Sequence, residues 1–296
     1  MLTVRLAPRL GPTIAAHEAR ALVGAGHVSP TERYLELIGV RPSPRATCPF
    51  DPGYDPVTVE AHLEQSAHLM GTLKISMACW MVADEGATRR KIQAARTHDV
   101  PTVAGGGPFE TAVAQGQLPA YLDLCAEVGL TGIECGEGFT QSSVSPAEIV
   151  RQAGERGLQV DFELGEKHGG RFSDEEADEL LATGTRWLEA GAVRIVVEAR
   201  ESAEDVGLFS SPGEFDHRQA DRLAAAFGLE RVLFEAPNKA SQFALINHFG
   251  PEVRLGNVRL EEVLRVEIYR RGLHSDAFGR SNLRPRGPAG DSSEGG

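Results

Sequence analysis

Eight short apolar, often β-branched runs alternate along this chain with amphipathic stretches of helical spacing, and no other feature constrains the fold as much. The strand candidates are TCPF (47–50), LKIS (73–76), PTVA (101–104), GIEC (132–135), LQVDFE (158–163), VRIVVE (193–198), RVLFE (231–235) and VRL (253–255). Between them lie helical patterns such as SPAEIVRQAGERG (145–157) and SDEEADELLATGTRWLEAG (173–191), with Ser at the start and Gly at the stop, the capping asymmetry of real helices. Strand-then-helix units about 25 to 35 residues apart, filling about 240 residues, predict the α/β class and a (β/α)8 TIM barrel over 41–279. A doubly wound open sheet is the alternative. Residues 1–40, with helix-like IAAHEARALVG and TERYLELIGV, are expected to form an N-terminal helical extension. The segment 280–296, SNLRPRGPAGDSSEGG after Arg280, has almost nothing to bury and is expected to be disordered.

Charge narrows the functional classes. Thirty basic against 42 acidic residues leave −12 and a pI near 5.3, so the basic face of a nucleic-acid binder is missing in bulk. No apolar run approaches the roughly 20 residues needed to cross a bilayer, and charges and prolines break the first twenty residues before a secretory core can form. A cytoplasmic protein is expected, with no membrane partner. Cys48, Cys79, Cys125 and Cys135 form no CxxC pair and the histidines no HxxH pair, which argues against disulfide and zinc frameworks. Cys48 and Cys135, in strands, read as packed thiols. Of the 30 basic residues only Lys74, Lys91, Lys167 and Lys239 are lysine, so each lysine raises the question of a task that arginine cannot perform.

In a barrel, chemistry belongs where strands end and the following loops begin. Those points carry Asp51, Lys74, Glu110 behind Gly105 and Gly106, Glu134, Glu163 with Lys167, Glu198 with Arg200 and Glu201, Glu235 with Lys239, and Asn257. A lone glutamate at a strand end reads most simply as a cap or salt bridge. Glu134, Glu163, Glu198 and Glu235 in successive strands read instead as one acidic site, since burying unpaired charge costs several kcal/mol and calls for a cation. Hard oxygen donors in this number suit Mg2+. Gly256 and Asn257 precede LEEV, a helix start, and are candidates to hold a phosphate there. Glycines 105–107 read most simply as a tight turn.

Taken in order, the motifs IECGEG (133–138), FELGEK (162–167), AGAVRIVVEARES (190–202), FEAPNKASQ (234–242), VRLGNV (253–258) and RRGLHSDAFG (270–279) resemble the phosphosulfolactate synthase family, which includes a coenzyme M biosynthetic enzyme and heat-stress-associated proteins of plants. The resemblance spans about residues 41–279. It implies a (β/α)8 barrel and a lyase working in the synthetic direction, adding sulfite to phosphoenolpyruvate with Mg2+ to give 2-phospho-3-sulfolactate. It implies Lys167 as the acid that protonates C2, Lys74 and Arg200 as further catalytic residues, and Glu134, Glu163, Glu198 and Glu235 as metal ligands. Asp51, Gly105, Gly106, Glu110, Gly256, Asn257 and His274 are then the substrate contacts. The partners expected are small anions, with a homo-oligomer, a trimer among the forms open to it.

Departures from the family pattern gather in strand 2, where KFGWGTS becomes KISMACW with Ser76, Met77, Ala78, Cys79 and Trp80, and after strand 3, where GGTLFE becomes GGGPFE. Further departures are Glu137, Glu166, Arg254 and His274. Three other readings therefore stay open: a different nucleophile or acceptor on the same scaffold, a non-catalytic stress-associated barrel, and a Schiff-base aldolase using Lys74 or Lys167.

Overall fold

The computed structural model describes residues 28–140, 142–165 and 170–283. The chain divides into two compact units, Met1–Arg41 with Pro285–Gly296, and Pro42–Arg284. Of the first, the structure describes helix Pro30–Leu37, started by a capping box in which Ser29 and Glu32 satisfy each other's backbone N–H groups. The expected helix IAAHEARALVG lies outside the described residues, as does the expected disordered tail beyond Leu283.

The second unit is built on parallel strands β1 (Thr47–Asp51), β2 (Leu73–Ile75), β3 (Thr102–Ala104), β4 (Gly132–Gly136), β5 (Gln159–Leu164) and β6 (Arg194–Val197). After a small antiparallel hairpin, β7 (Phe209–Ser211) with β8 (Glu214–Phe215), the barrel is completed by β9 (Val232–Glu235) and β10 (Arg254–Arg259). Thr47 pairs with Leu255, which joins the last strand to the first and closes an eight-stranded parallel barrel in the order β1-β10-β9-β6-β5-β4-β3-β2. The open-sheet alternative is thereby excluded. Among the described residues no helix is long and apolar enough to cross a membrane.

Local chemistry explains the connecting helices. Asp55, Asp84, Ser145, Ser173, Asp216 and Asn238 each accept a backbone N–H at a helix start. Gly129 and Gly191 end two helices in the left-handed region at φ 93 and 107. Helix Gly106–Ala114 differs from the expected tight turn. Gly105 caps it, where a Cβ would stand a tight 3.1 Å from Met77 N. Strand β10 also runs to Arg259, four residues beyond the expected VRL, since Val258 and Arg259 stay paired with Pro49 and Phe50.

The main apolar core lies between barrel and helices, with Phe162 stacked on Trp187 at 4.2 Å, Phe234 on Phe249 at 5.1 Å and Phe243 on Tyr269 at 3.6 Å between ring centres. A separate cluster of Cys48, Val196 and Leu233 fills the barrel interior. Toward the strand starts, Arg194 donates to Asp161 Oδ2 at 2.6 Å and to Thr72 Oγ1 at 2.8 Å. Side chains two residues further along each strand face the same way, so Lys74, Glu163, Glu198 and Glu235 form the next layer toward the strand ends. The four cysteines are free thiols. Burial pushes Cys48 and Cys135 up, and Cys125 to about 12, so these three pack as inert groups.

Gly207 ties two loops to the barrel rim. Its N–H donates to Gly170 O at 2.9 Å, its carbonyl accepts from Phe172 N at 2.9 Å, and at φ +54 a Cβ would stand 2.3 Å from Glu198 O. Gly207→Ala is expected to destabilise the fold by about 2–3 kcal/mol through this backbone clash. Chemical denaturation checks this, and an unchanged midpoint would remove Gly207 as a fixed point.

Candidate active site

At the strand ends the barrel holds one cation inside a ring of carboxylates. Lys74 Nζ lies 2.7 Å from Glu134 Oε1, 3.2 Å from Glu235 Oε1 and 4.0 Å from Glu163 Oε2. All four glutamates are buried. Backbone donors complete the ring: Gly106 N to Glu134 Oε1 at 3.3 Å, Ala199 N to Glu235 Oε2 at 3.1 Å and Arg200 N to Glu198 Oε1 at 2.6 Å. Arg200 adopts φ +54, and this turn aims two successive N–H groups at two carboxylates.

The charges do not balance. Burial opposes the charge of Lys74, yet Glu134, Glu235 and Glu163 together hold its ammonium well above the ordinary lysine value. Burial, then repulsion from Glu198, pushes Glu163 well above the carboxylate range and Glu235 to about 8. For Glu198 burial also works against the charge, but hydrogen bonds from protonated Glu163 and Glu235, with Lys74 and Arg200 N–H, outweigh it and leave Glu198 below the usual value. The ring therefore holds protons that a further cation could replace.

Above it opens a cavity of about 1080 Å³. Lys74, Glu134, Glu163, Glu198 and Glu235 line its floor, and Arg200, Glu201 and Arg259 also face it. Arg259 was missed by sequence reasoning, because β10 was ended at Leu255; a basic residue closing the true strand was the available signal.

The other expected contacts divide between the cavity and the surrounding framework. Gly105 and Gly106 line the cavity at a helix start. Gly256 and Asn257 lie inside β10 rather than at a helix N-terminus, which corrects the proposed phosphate cradle: the last two strand residues, Val258 and Arg259, and the 3-10 turn Leu260–Glu262 intervene before helix Val263–Arg270. Asn257, at φ +51, still lines the cavity, and its Oδ1 is buried with no hydrogen-bond partner. Glu110 is fully buried and does not line the cavity; its Oε2 accepts Phe139 N at 2.8 Å and Thr140 N at 3.0 Å, clamping the loop after β4. Asp51 is likewise withdrawn, bonded to Lys91 Nζ and accepting Gly53 N at 2.8 Å and Tyr54 N at 2.6 Å. His274 caps a short turn through Asp276 N at 3.1 Å and packs edge-on to Phe243, away from the cavity lining. Lys239 pairs with Asp276 at 2.8 Å on the surface. Lys167 lies outside the described residues. Among those described, no three His, Cys, Asp or Glu groups stand at metal-binding geometry, as Lys74 occupies the centre of the ring.

Residues 42–276 match the family model described as (2R)-phospho-3-sulfolactate synthase (ComA). The chain is 30% identical over 235 residues to the phosphosulfolactate synthase of Methanocaldococcus jannaschii, covering 79% of this chain and 94% of that one. It is 31% identical over 190 residues to that of Bacillus subtilis, covering 64% and 75%. Among solved structures, the carboxyl transferase domain of Rhizobium etli pyruvate carboxylase with pyruvate aligns with a TM-score of 0.52 at 10% identity, over 89% of this chain and 49% of that one. At that identity the likeness is one of fold alone.

Lys91 is buried on helix Glu85–Thr97 and neutralises a buried carboxylate, so Lys91→Met is expected to cost about 3–5 kcal/mol by stranding Asp51; equilibrium unfolding measures it. Glu235 gives a second expectation. Folded, it keeps its proton up to about 8, whereas unfolded it releases it at the ordinary glutamate value. The folded state therefore binds the extra proton, and stability falls as pH rises through that interval. Glu235→Gln should flatten the fall, read from melting temperature against pH.

Proposed function

Because the chain belongs to the (2R)-phospho-3-sulfolactate synthase family, we propose that it adds sulfite to C3 of phosphoenolpyruvate, giving 2-phospho-3-sulfolactate, with Mg2+ as cofactor. The observation that carries this reading is the buried ring in which Lys74 meets glutamates from three other strands beneath two arginines. Attack at C3 drives negative charge into the substrate carboxylate, and fixed cations that need not reorganise stabilise it as it develops. Lys74, kept charged by its neighbours, serves that charge. Arg200 and Arg259 offer planar bidentate donors for the phosphate and carboxylate oxygens. Lys167, carried by the strand-5 motif FELGEK, delivers the proton to C2.

The donor set suits Mg2+ in kind: hard carboxylate oxygens whose mutual repulsion already forces protons onto two of them. Because no three acidic groups among the described residues stand at metal-binding geometry, one or two of Glu163, Glu198 and Glu235 would hold it together with waters, as Mg2+ usually binds, with Glu134 held closest to Lys74. When bound, the ion would act as a Lewis acid toward the enolate-like charge. The anionic substrates and unpaired thiols suit a cytoplasmic enzyme.

Phosphorus NMR of phosphoenolpyruvate with sulfite and Mg2+ tests the reading, and unchanged phosphoenolpyruvate beside folded protein would sink it. Lys74→Met is expected to lower kcat by about 100-fold or more. Lys167→Ala should abolish turnover without unfolding the chain, and Glu198→Ala should chiefly weaken the Mg2+ dependence. Mg2+ affinity should rise with pH toward about 8, because binding must displace the proton of Glu235; calorimetry in two buffers of different ionisation enthalpy reads that proton release.

A further inference from the structure

Pockets for drug-sized ligands hold about 300–1,000 Å³, and phosphoenolpyruvate with sulfite is smaller than such a ligand, yet this cavity holds about 1080 Å³. Its two sides differ in chemistry. The ionic floor and one side carry Lys74, the four glutamates, Arg200, Glu201 and Arg259; the other side, from the β2 loop and helices Gly106–Ala114 and Leu118–Val128, presents no charged side chain among the described residues. That side runs over Met77, Met81, Pro108, Leu124 and Tyr121. Met77 and Met81 are 50% and 47% exposed, a paired apolar exposure that marks a binding surface more than a solvated one. It has no described cation for a second oxyanion. It is continuous with the reaction centre in one cavity, so what covers it is part of a reactant. Met77, Ala78, Gly107 and Pro108, where this sequence departs from the family pattern, all lie on it.

We propose a further activity: the same centre adds hydrophobic organic thiols to C3 of phosphoenolpyruvate, with the thiol's carbon body against the apolar side. This rests on the reading above, that the centre prepares phosphoenolpyruvate for attack by sulfur. A thiol fits better than an amine, because an acidic ring favours the protonated amine, whose lone pair is then blocked. Polarisable thioethers such as Met77 and Met81 also adapt to varied apolar bodies. In the step a sulfur lone pair forms the S–C3 bond, the C2–C3 π pair moves to C2, and the proton lost by the thiol is balanced by one gained at C2. The product is a 3-(organylthio)-2-phosphonooxypropanoate. No bond to phosphorus breaks, and nothing is oxidised or reduced.

The test is phosphorus NMR of the full chain with phosphoenolpyruvate and Mg2+, supplied in turn with sulfite, 2-mercaptoethanol and 2-phenylethanethiol. The expected result is a new phosphate-ester resonance with the phenyl thiol, at a kcat/KM about tenfold or more above mercaptoethanol, the gain from burying its ring. Leu124→Asp should erase that preference, and so should Ala120→Trp, whose exposed position on helix Leu118–Val128 spares the core. Turnover of sulfite with no phenyl-thiol product, or with no preference over mercaptoethanol, overturns the inference and leaves the family reading intact. Absence of turnover with sulfite and thiols alike defeats both.

Discussion

A lysine ammonium surrounded by carboxylates, shut inside a parallel barrel, is the interaction around which the upper half of this molecule is arranged. Lys74 reaches glutamates on β4, β5 and β9, and each contact requires its strand to end at the same height. Burial of any one of these charges alone would cost several kcal/mol. Held together, they turn strand register into a condition of electrostatic stability: a slip of one residue would point a carboxylate into the apolar layer outside. The β4–β5 pairing, in register from Gly132↔Gln159 to Gly136↔Glu163, is the longest expression of that condition.

The barrel interior separates stability from reactivity by depth. Near the strand starts, Asp161 and Arg194 balance each other in bidentate contact, and Arg194 spends its remaining donor on Thr72. A small apolar plug of Cys48, Val196 and Leu233 follows. Above it the ring is left short of positive charge, and Glu163 and Glu235 retain protons in consequence. The lower pair is satisfied and inert. The upper ring stores unfavourable interaction that an incoming cation or substrate can relieve, the arrangement expected where perturbed groups cluster in a cleft.

Most of the fold was legible because eight apolar runs report parallel strands buried on both faces, and Glu134, Glu163, Glu198 and Glu235 were legible because a carboxylate closing such a run has few cheap explanations. What stayed hidden depended on partners distant in sequence. Asp51 looks like a site residue until Lys91 arrives from a helix 40 residues on, and Glu110 until its oxygen is seen holding the loop after β4. Helix Gly106–Ala114 was obscured by glycines, the poorest helix formers after proline; at its cap, Gly105, a Cβ would crowd Met77 N at 3.1 Å, whereas Gly107 faces open space. Arg259 was lost with the early end given to β10, where Asn257, at a positive φ, sits in a bulge that shifts the register against β1 before pairing resumes at Val258.

The same distinction bears on specificity. The ionic ring is built from strand residues, whose positions the barrel fixes, so the capacity to stabilise developing charge is tied to the fold itself. The apolar side comes from the β2 loop and from two helices and carries no charged side chain among the described residues, so its side chains can change without disturbing the ring. A barrel organised in this way can keep one electrophile and one mode of charge stabilisation while altering the body of the nucleophile it admits. On the proposed reading, Met77, Ala78, Gly107 and Pro108 bear on which molecule enters, whereas Lys74 and the glutamates bear on what happens to it once inside.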